Sequence, residues 1–251
     1  MNDQTLGDWL SAQPFALAMS SGFFSFFAHA GMLSALEAEG LQPESLSGSS
    51  AGALIAGLCG AGLPGEAMRE RLTDLKREDF WDPKPGLGIL GGRLFRERLD
   101  ELLPVSTFEE CKLPVRISVY DLGKRQTQVL EEGDLASAIH ASCALPVLFH
   151  PVRRDGRLLS DGGIADRSGL TGTGNDRRVF YHHIASRSPW RRPGSAALKI
   201  PRRDSMVSLR IEKLPRANPF HLERGVQAMQ QAREATSRAL QEPIVEGVVS
   251  V

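Results

Sequence analysis

Cysteine is scarce in this chain, net charge is absent, and no segment repeats. The three cysteines, Cys59, Cys111 and Cys143, stand far apart and are odd in number. They offer no disulfide framework and no metal-ligand spacing, and they read as small hydrophobes of a reducing compartment. Thirty Lys and Arg balance thirty Asp and Glu, so bulk charge points to no polyanion, and no nucleic-acid partner is expected. The N-terminus MNDQTLGDWL lacks a basic stretch followed by an apolar one, so it is not read as a secretory signal; a cytoplasmic location is expected. Neither glycine pattern for binding phosphates is present, which sets nucleotide binding aside. One long apolar run, Phe15 to Leu36, reaches bilayer length. It carries four serines, two glycines and a histidine without a basic flank, and reads as a buried strand, a turn and a buried helix.

What is present fits one core. A chain of 251 residues, 41% hydrophobic, is expected to form a single domain over residues 1–251. Phe15 to Met19 reads as a strand and Phe26 to Glu39 as a helix ending at Gly40. A short strand near Leu46 leads into a small-residue helix, Ala51 to Ala61. Val115 to Tyr120 and Gln126 to Leu130 read as a hairpin across LGKR, and Asp134 as the cap of a helix running to about Ala141. Arg157 to Ser160, Val179 to Ala185 and Met206 to Ile211 read as further strands, and His221 to Gln241 as a polar helix. Strands and helices alternate, which predicts a three-layer α/β fold with a largely parallel central sheet flanked by helices. Ligands in such sheets sit at the carboxyl ends of the strands, where the turns Ser20–Ser25 and Gly48–Gly52 fall.

The stretch LSGSSAGALIAG contains three serines. Gly48-Ser49-Ser50-Ala51-Gly52 fits G-x-S-x-G with Ser50 at its centre. A nucleophile on a sharp strand-to-helix turn needs small residues two before and two after it, so that the chain can pass. The helix that follows aims its free N–H groups at the same point. The plainer reading is that Ser49 or Ser50 only caps that helix. A serine also needs a base. An order Ser50, Asp161, His182 or His183 can be drawn, but only about 35 residues separate the first strand from Ser50, too few for the hydrolase fold that uses such a triad. Asp161 is the better candidate. It ends a strand and is followed by Gly162 and Gly163, which let the chain turn and another group approach. An Asp-Gly pair alone is most often just a turn.

Nucleophile turn, strand-end DGG, the run AIHASCALPVLFHPVRRDGRLLSDGG and the helix AHAGMLSALEAEGL together resemble the bacterial patatin-like phospholipases, over residues 15–60 and 134–165. The resemblance implies a patatin-like α/β fold and a Ser–Asp dyad, with Ser50 as nucleophile and Asp161 as base. It implies lipid acyl hydrolysis through an acyl-enzyme, fatty acyl ester or phospholipid substrates, and no metal or organic cofactor. Burial is expected to lift Asp161 from the ordinary carboxylate range toward a useful base. The alternatives are a non-lipid esterase or thioesterase on the same site, and a catalytically degenerate acyl-lipid-binding homologue.

The sequence departs from that family at its first motif, commonly three glycines, a variable residue, a basic residue and a glycine. Here the positions hold Ser21, Gly22, Phe23, Phe24, Ser25 and Phe26, with one glycine and no basic residue. The implied oxyanion donors are the backbone N–H groups of Gly22, Phe23 and Ala51. Gly22 can take a positive φ at no cost, whereas Phe23 would do so only under strain. The four phenylalanines there read either as core or as walls of an acyl pocket, and His29 as a packing histidine satisfied by a backbone carbonyl. Residues 64–104, broken by DPKPGLGILGG, read as a flap over a pocket or as a plain packing insertion. Charge is uneven along the chain: Arg153 to Arg216 holds fifteen Lys and Arg against six Asp and Glu. That stretch, with Trp190, suggests peripheral contact with an anionic membrane surface.

Overall fold

The computed structural model of the chain describes residues 4–174, 178–185 and 199–251. A short helix, α1 (Leu6–Ala12), precedes β1 (Ala16–Met19), α2 (Phe26–Ala38), β2 (Ser45–Ser49) and α3 (Ala51–Gly60). Next come α4 (Gly65–Thr73), β3 (Gly88–Leu90), α5 (Arg93–Leu102), β4 (Val115–Asp121), β5 (Gln126–Leu130) and α6 (Leu135–Cys143). The remaining elements are β6 (Val147–Phe149), β7 (Val152–Arg154), β8 (Arg157–Asp161), β9 (Val179–Ile184), β10 (Met206–Ile211), α7 (Glu223–Ala239) and β11 (Val248–Ser250). The central sheet runs β11-β10-β9-β1-β2-β4-β8-β7, with β5 also on β4. Six neighbouring strands, from β11 to β4, are parallel; β5, β8 and β7 join by antiparallel pairing. The mixed α/β architecture with a largely parallel sheet is the one the alternation predicts.

The two faces of the sheet are unequal. Odd-numbered residues of β1, Leu17 and Met19, point into the main core with α2, α3, α6 and α7, while Ala16 and Ala18 face a smaller cluster with Tyr181, Leu170 and Ile200. The smaller face is crossed by the segment 166–174, where Ser47 Oγ donates to the Gly169 carbonyl at 2.5 Å. Helix α7, polar by composition, buries Gly225, Ala228, Met229, Ala232, Ala235 and Ala239, a stripe at helical spacing. Its small residues let α2 come close: a Cβ on Gly31 would stand 2.9 Å from the Met229 carbonyl carbon. The apolar run 15–36 becomes β1, a turn and the first part of α2, and no described helix is long and apolar enough to cross a membrane.

The DPKPGLGILGG break is more than a loop. Gly88–Leu90 forms a strand that pairs in parallel with β6, so residues 82–92 are tied to the segment between α6 and β7. Asp82 anchors the far end of the break by accepting from Gly92 and Arg93 N–H at 2.9 and 2.7 Å. Trp190 and most of the basic stretch SRSPWRRPGSAALKIPRR lie outside the described residues.

One feature of the sheet brings two distant segments together. β4 carries β5 along one edge. Its other edge is shared: β2 lies along Val115–Ser118, ending with Ser49 opposite Ser118, and β8 runs antiparallel along Val119–Asp121, ending with Asp161 opposite Val119. The carboxyl ends of β2 and β8 therefore meet head-on, one β4 residue apart.

Candidate active site

Ser50 follows β2 directly and begins α3. Its backbone has φ 53° and ψ −116°, a conformation that non-glycine residues enter only under strain. The strain is imposed by close packing on either side. A Cβ on Gly48 would stand 2.6 Å from Ala53 N, and one on Gly52 would stand 2.5 Å from the Met19 carbonyl carbon and closer still to its oxygen. The turn is pinned by two groups that the motif does not reveal. Ser142 Oγ accepts from Ser50 N–H at 2.8 Å and donates to the Ser118 carbonyl at 2.7 Å. The Cys143 thiol donates to the Ser50 carbonyl at 3.3 Å. Burial and the neighbouring Asp161 push that thiol well above its ordinary range, so it stays protonated and donates. Cys143 is thus a wall of the site, and all three cysteines are unpaired.

Asp161 is 3% exposed. Its Oδ2 accepts from Ser50 Oγ at 2.7 Å, and its Oδ1 accepts from Gly163 N–H at 2.7 Å. One carboxylate oxygen faces the serine while the other is held by the chain that turns after it. The two glycines permit this turn: a Cβ on Gly162 would meet the Ser118 carbonyl, and one on Gly163 would stand 2.8 Å from Ser21 Cβ. Asp166, five residues on, fastens the following segment by accepting from Ser118 Oγ at 2.7 Å and from Gly169 N–H at 2.9 Å.

The histidines stand elsewhere. His182 Nδ1 is 2.8 Å from His29 Nδ1, and His29 Nε2 is 2.8 Å from the Ser20 carbonyl. His183 Nδ1 is 3.1 Å from the Tyr181 hydroxyl. The group hydrogen-bonded to Ser50 Oγ is the carboxylate.

The turn after β1 completes the site differently from what the glycine-rich pattern suggests. The left-handed residue is Phe24, at φ 55°, and neither Gly22 nor Phe23 has a positive φ. The N–H groups of Gly22 and Phe23 have no hydrogen-bond partner among the described residues. Gly22, Phe23, Ser50, Ala51 and Asp161 line one cavity of about 140 Å³. Apart from Arg98, its remaining wall is largely apolar: Phe24, Phe26, Leu54, Leu148 and Phe149, with Leu72, Leu75, Phe80, Phe95, Leu99 and Leu102 from residues 64–104. Three of the four clustered phenylalanines are therefore pocket wall, and Phe27 is core. Phe24 and Phe80 meet with ring centroids 5.7 Å apart, and the 64–104 segment supplies part of the pocket wall. Beside it, sharing Phe23 and Phe24, lies a wider cleft of about 430 Å³ lined by His182, Arg210, Glu212, Lys213 and Arg216. Among the described residues, no cluster of His, Cys, Asp and Glu has the geometry of a metal site.

The strained serine, the carboxylate bonded to it and the cavity therefore lie together at the carboxyl edge of the parallel strands. Uncharacterised NTE family proteins of Mycobacterium bovis and Mycobacterium tuberculosis are each 32% identical to this chain over 154 residues, 60% of it and 43% of theirs. The chain thus matches less than half the length of these relatives. The solved structure of VipD from Legionella pneumophila has a similar fold, with a TM-score of 0.57 at 15% identity, over 90% of this chain and 66% of that one. The family model described as patatin-like phospholipase matches residues 17–172, which include all but the first residue of β1, the turn at Ser50 and the turn at Asp161. With more than half of its length matched, the chain belongs to the patatin-like phospholipase family.

Proposed function

We propose that this chain is a serine acyl hydrolase of fatty acyl esters, phospholipids foremost, working through a Ser50–Asp161 dyad. The observation that carries the reading is the 2.7 Å bond from Ser50 Oγ to Asp161 Oδ2 at the wall of an apolar cavity. Asp161 takes the hydroxyl proton as Ser50 Oγ adds to the ester carbonyl. The oxyanion that forms accepts from the N–H groups of Gly22, Phe23 and Ala51, the last at the open N-terminus of α3. The ester C–O bond then breaks, Asp161 hands its proton to the departing alcohol, and acyl-Ser50 remains. Water attacks that ester, again losing its proton to Asp161, and the fatty acid leaves as the serine recovers its hydrogen. The fatty acyl chain occupies the cavity, whose polar side chains are Ser50, Asp161 and Arg98.

The lipid reading extends to a surface. Leu87, Ile89 and Val147 are 74%, 52% and 67% exposed. Ile89 and Val147 sit on the small β3–β6 sheet and Leu87 just precedes it, and the next residues after Val147, Leu148 and Phe149, line the cavity. This rim lies against the membrane, with basic groups contacting anionic lipid, and the protein works at the cytoplasmic face. Liposome binding that ignores both anionic-lipid content and salt would remove that part of the proposal.

Hydrolysis of a p-nitrophenyl ester series and of phospholipid vesicles tests the activity. Loss is expected in Ser50→Ala and Asp161→Asn and retention in His183→Ala. A folded His183→Ala chain as inactive as Ser50→Ala would point back to a triad. Preference for acetyl over long-chain esters would favour a non-lipid esterase.

A further inference from the structure

The two buried imidazoles behind the site have no part in the dyad, yet they are bonded to the strand end that carries the oxyanion donors. Sheet pairing of β1 stops at Met19, which lies opposite Gly48 and His182. The next residue, Ser20, is fully buried, and its carbonyl has left the ladder. That carbonyl is met by His29 Nε2 at 2.8 Å. A carbonyl only accepts, so His29 Nε2 carries the hydrogen. Burial holds His29 down at about 4 and His182 well below its ordinary range, so both rings are neutral at physiological pH. His29 Nδ1 is then bare and accepts from His182 Nδ1–H. The two rings meet edge to face, with planes at 86°.

We propose that His29 is a positioning residue: its Nε2–H fixes the Ser20–Ser21 peptide so that the N–H groups of Gly22 and Phe23 face Ser50, and His182 sets the tautomer that makes this possible. The proposal rests on the hydrolase reading for its kinetic consequence. The same peptide plane is gripped at its other end, where Ser21 N–H donates to the Arg167 carbonyl at 2.7 Å. With both ends held, rotation of the plane is blocked, and the direction of the following peptides is set. Further bonds keep Ser20 in place: its N–H donates to the His182 carbonyl at 3.3 Å, and its Oγ accepts from Ile184 N–H at 2.9 Å. Ser21 also packs against Gly163, so the strand end and the aspartate turn are fitted to one another. A pair of apolar side chains would fill the space with less polar burial. His182 Nε2 is buried and has no partner among the described residues. What the imidazole pair adds is a directed donor on a carbonyl at the end of a strand.

The test compares His29→Leu with His29→Gln, whose side-chain amide can offer an N–H at nearly the same reach as imidazole Nε2. In H29L, kcat on a soluble p-nitrophenyl ester is expected to fall on the order of tenfold or more with KM changed less than about threefold. Amide ¹H–¹⁵N resonances of Ser21 to Phe24 are expected to shift. H29Q is expected to recover most of the rate and the wild-type resonances. Unshifted amides with a wild-type kcat in folded H29L would overturn the proposal, as would equal loss in H29L and H29Q. If the wild-type chain is inactive on every ester, the hydrolase reading falls, and the amide resonances alone decide the positioning. Should H29L fail to fold, His182→Leu decides: a smaller shift of the same amides supports the proposal, and no shift overturns it.

Discussion

Two neighbouring turns at the carboxyl edge of the sheet are held in shape by different means. The turn after β2 holds Ser50 in a strained conformation, and the strain is written locally. Gly48 and Gly52 are the residues whose Cβ atoms would collide with backbone. The turn after β1 presents donors without a glycine run. Its one glycine has an ordinary φ, its left-handed residue is a phenylalanine, and its first peptide is gripped by His29 and by the Arg167 carbonyl. On the positioning proposed for His29, bonds from distant elements would do here what a glycine-rich loop does elsewhere, which is to aim N–H groups.

The contrast can be broken most severely at the nucleophile turn. Gly52→Ala is expected to cost about 3 kcal/mol or more, because backbone would have to move. Thermal unfolding should show either no folded protein or a large drop in Tm, with activity lost. The turn after β1 should yield instead to acid. His29, bonded to that turn, is held down at about 4 by burial, as is His140 elsewhere on α6. Between pH 6.5 and 4 the unfolded chain takes up these protons and the folded chain does not, so stability falls as pH falls through that window. The loss for His29 alone is on the order of 3 kcal/mol. Urea midpoints at pH 7, 5 and 4 would show it, and the fall should be shallower in His29→Gln. A smaller effect is expected from Ser142→Ala, which leaves Ser50 N–H without its partner: about 2 kcal/mol of stability and a several-fold slower hydrolysis. Smallest is Gly22→Ala, where the crowding comes from side chains and not from backbone: Ser25 Cβ at 2.8 Å, with its Oγ closer still, and Ile184 Cγ2 at 3.1 Å. About 1 kcal/mol is expected there. A Gly22→Ala cost equal to that of Gly52→Ala would erase the distinction between the turns.

The same distinction explains what could be read from residues alone. Ser50 was legible because steric demand acts over two residues in either direction, and Asp161 because a strand, an acid and two glycines are consecutive. Of the parallel strands, β1 is legible as a buried apolar run and β9 and β10 as largely apolar stretches, whereas β2, with Leu46 as its one apolar side chain, is legible mainly from the turn that follows it. β6, β7 and β11 are not legible, since each is three residues long and is defined by its partner. β3 looked like a loop for the same reason. Ser142, Cys143 and the His29–His182 pair reach the site only through tertiary contacts, between residues 92, 93 and 153 positions apart. The phenylalanines showed the converse limit. Their run suggested both core and pocket, and the helix phase assigns Phe27 to one and Phe26 to the other.

The Ser50–Asp161 contact is the point on which the account stands, and the rate of covalent capture tests it most directly. A fluorophosphonate should label the wild-type chain at Ser50, identified by peptide mass. Asp161→Asn, folded and with Ser50 in place, should label at least about a hundredfold more slowly. Wild-type labelling at another residue, or an undiminished rate at Ser50 in the Asp161→Asn chain, would contradict it.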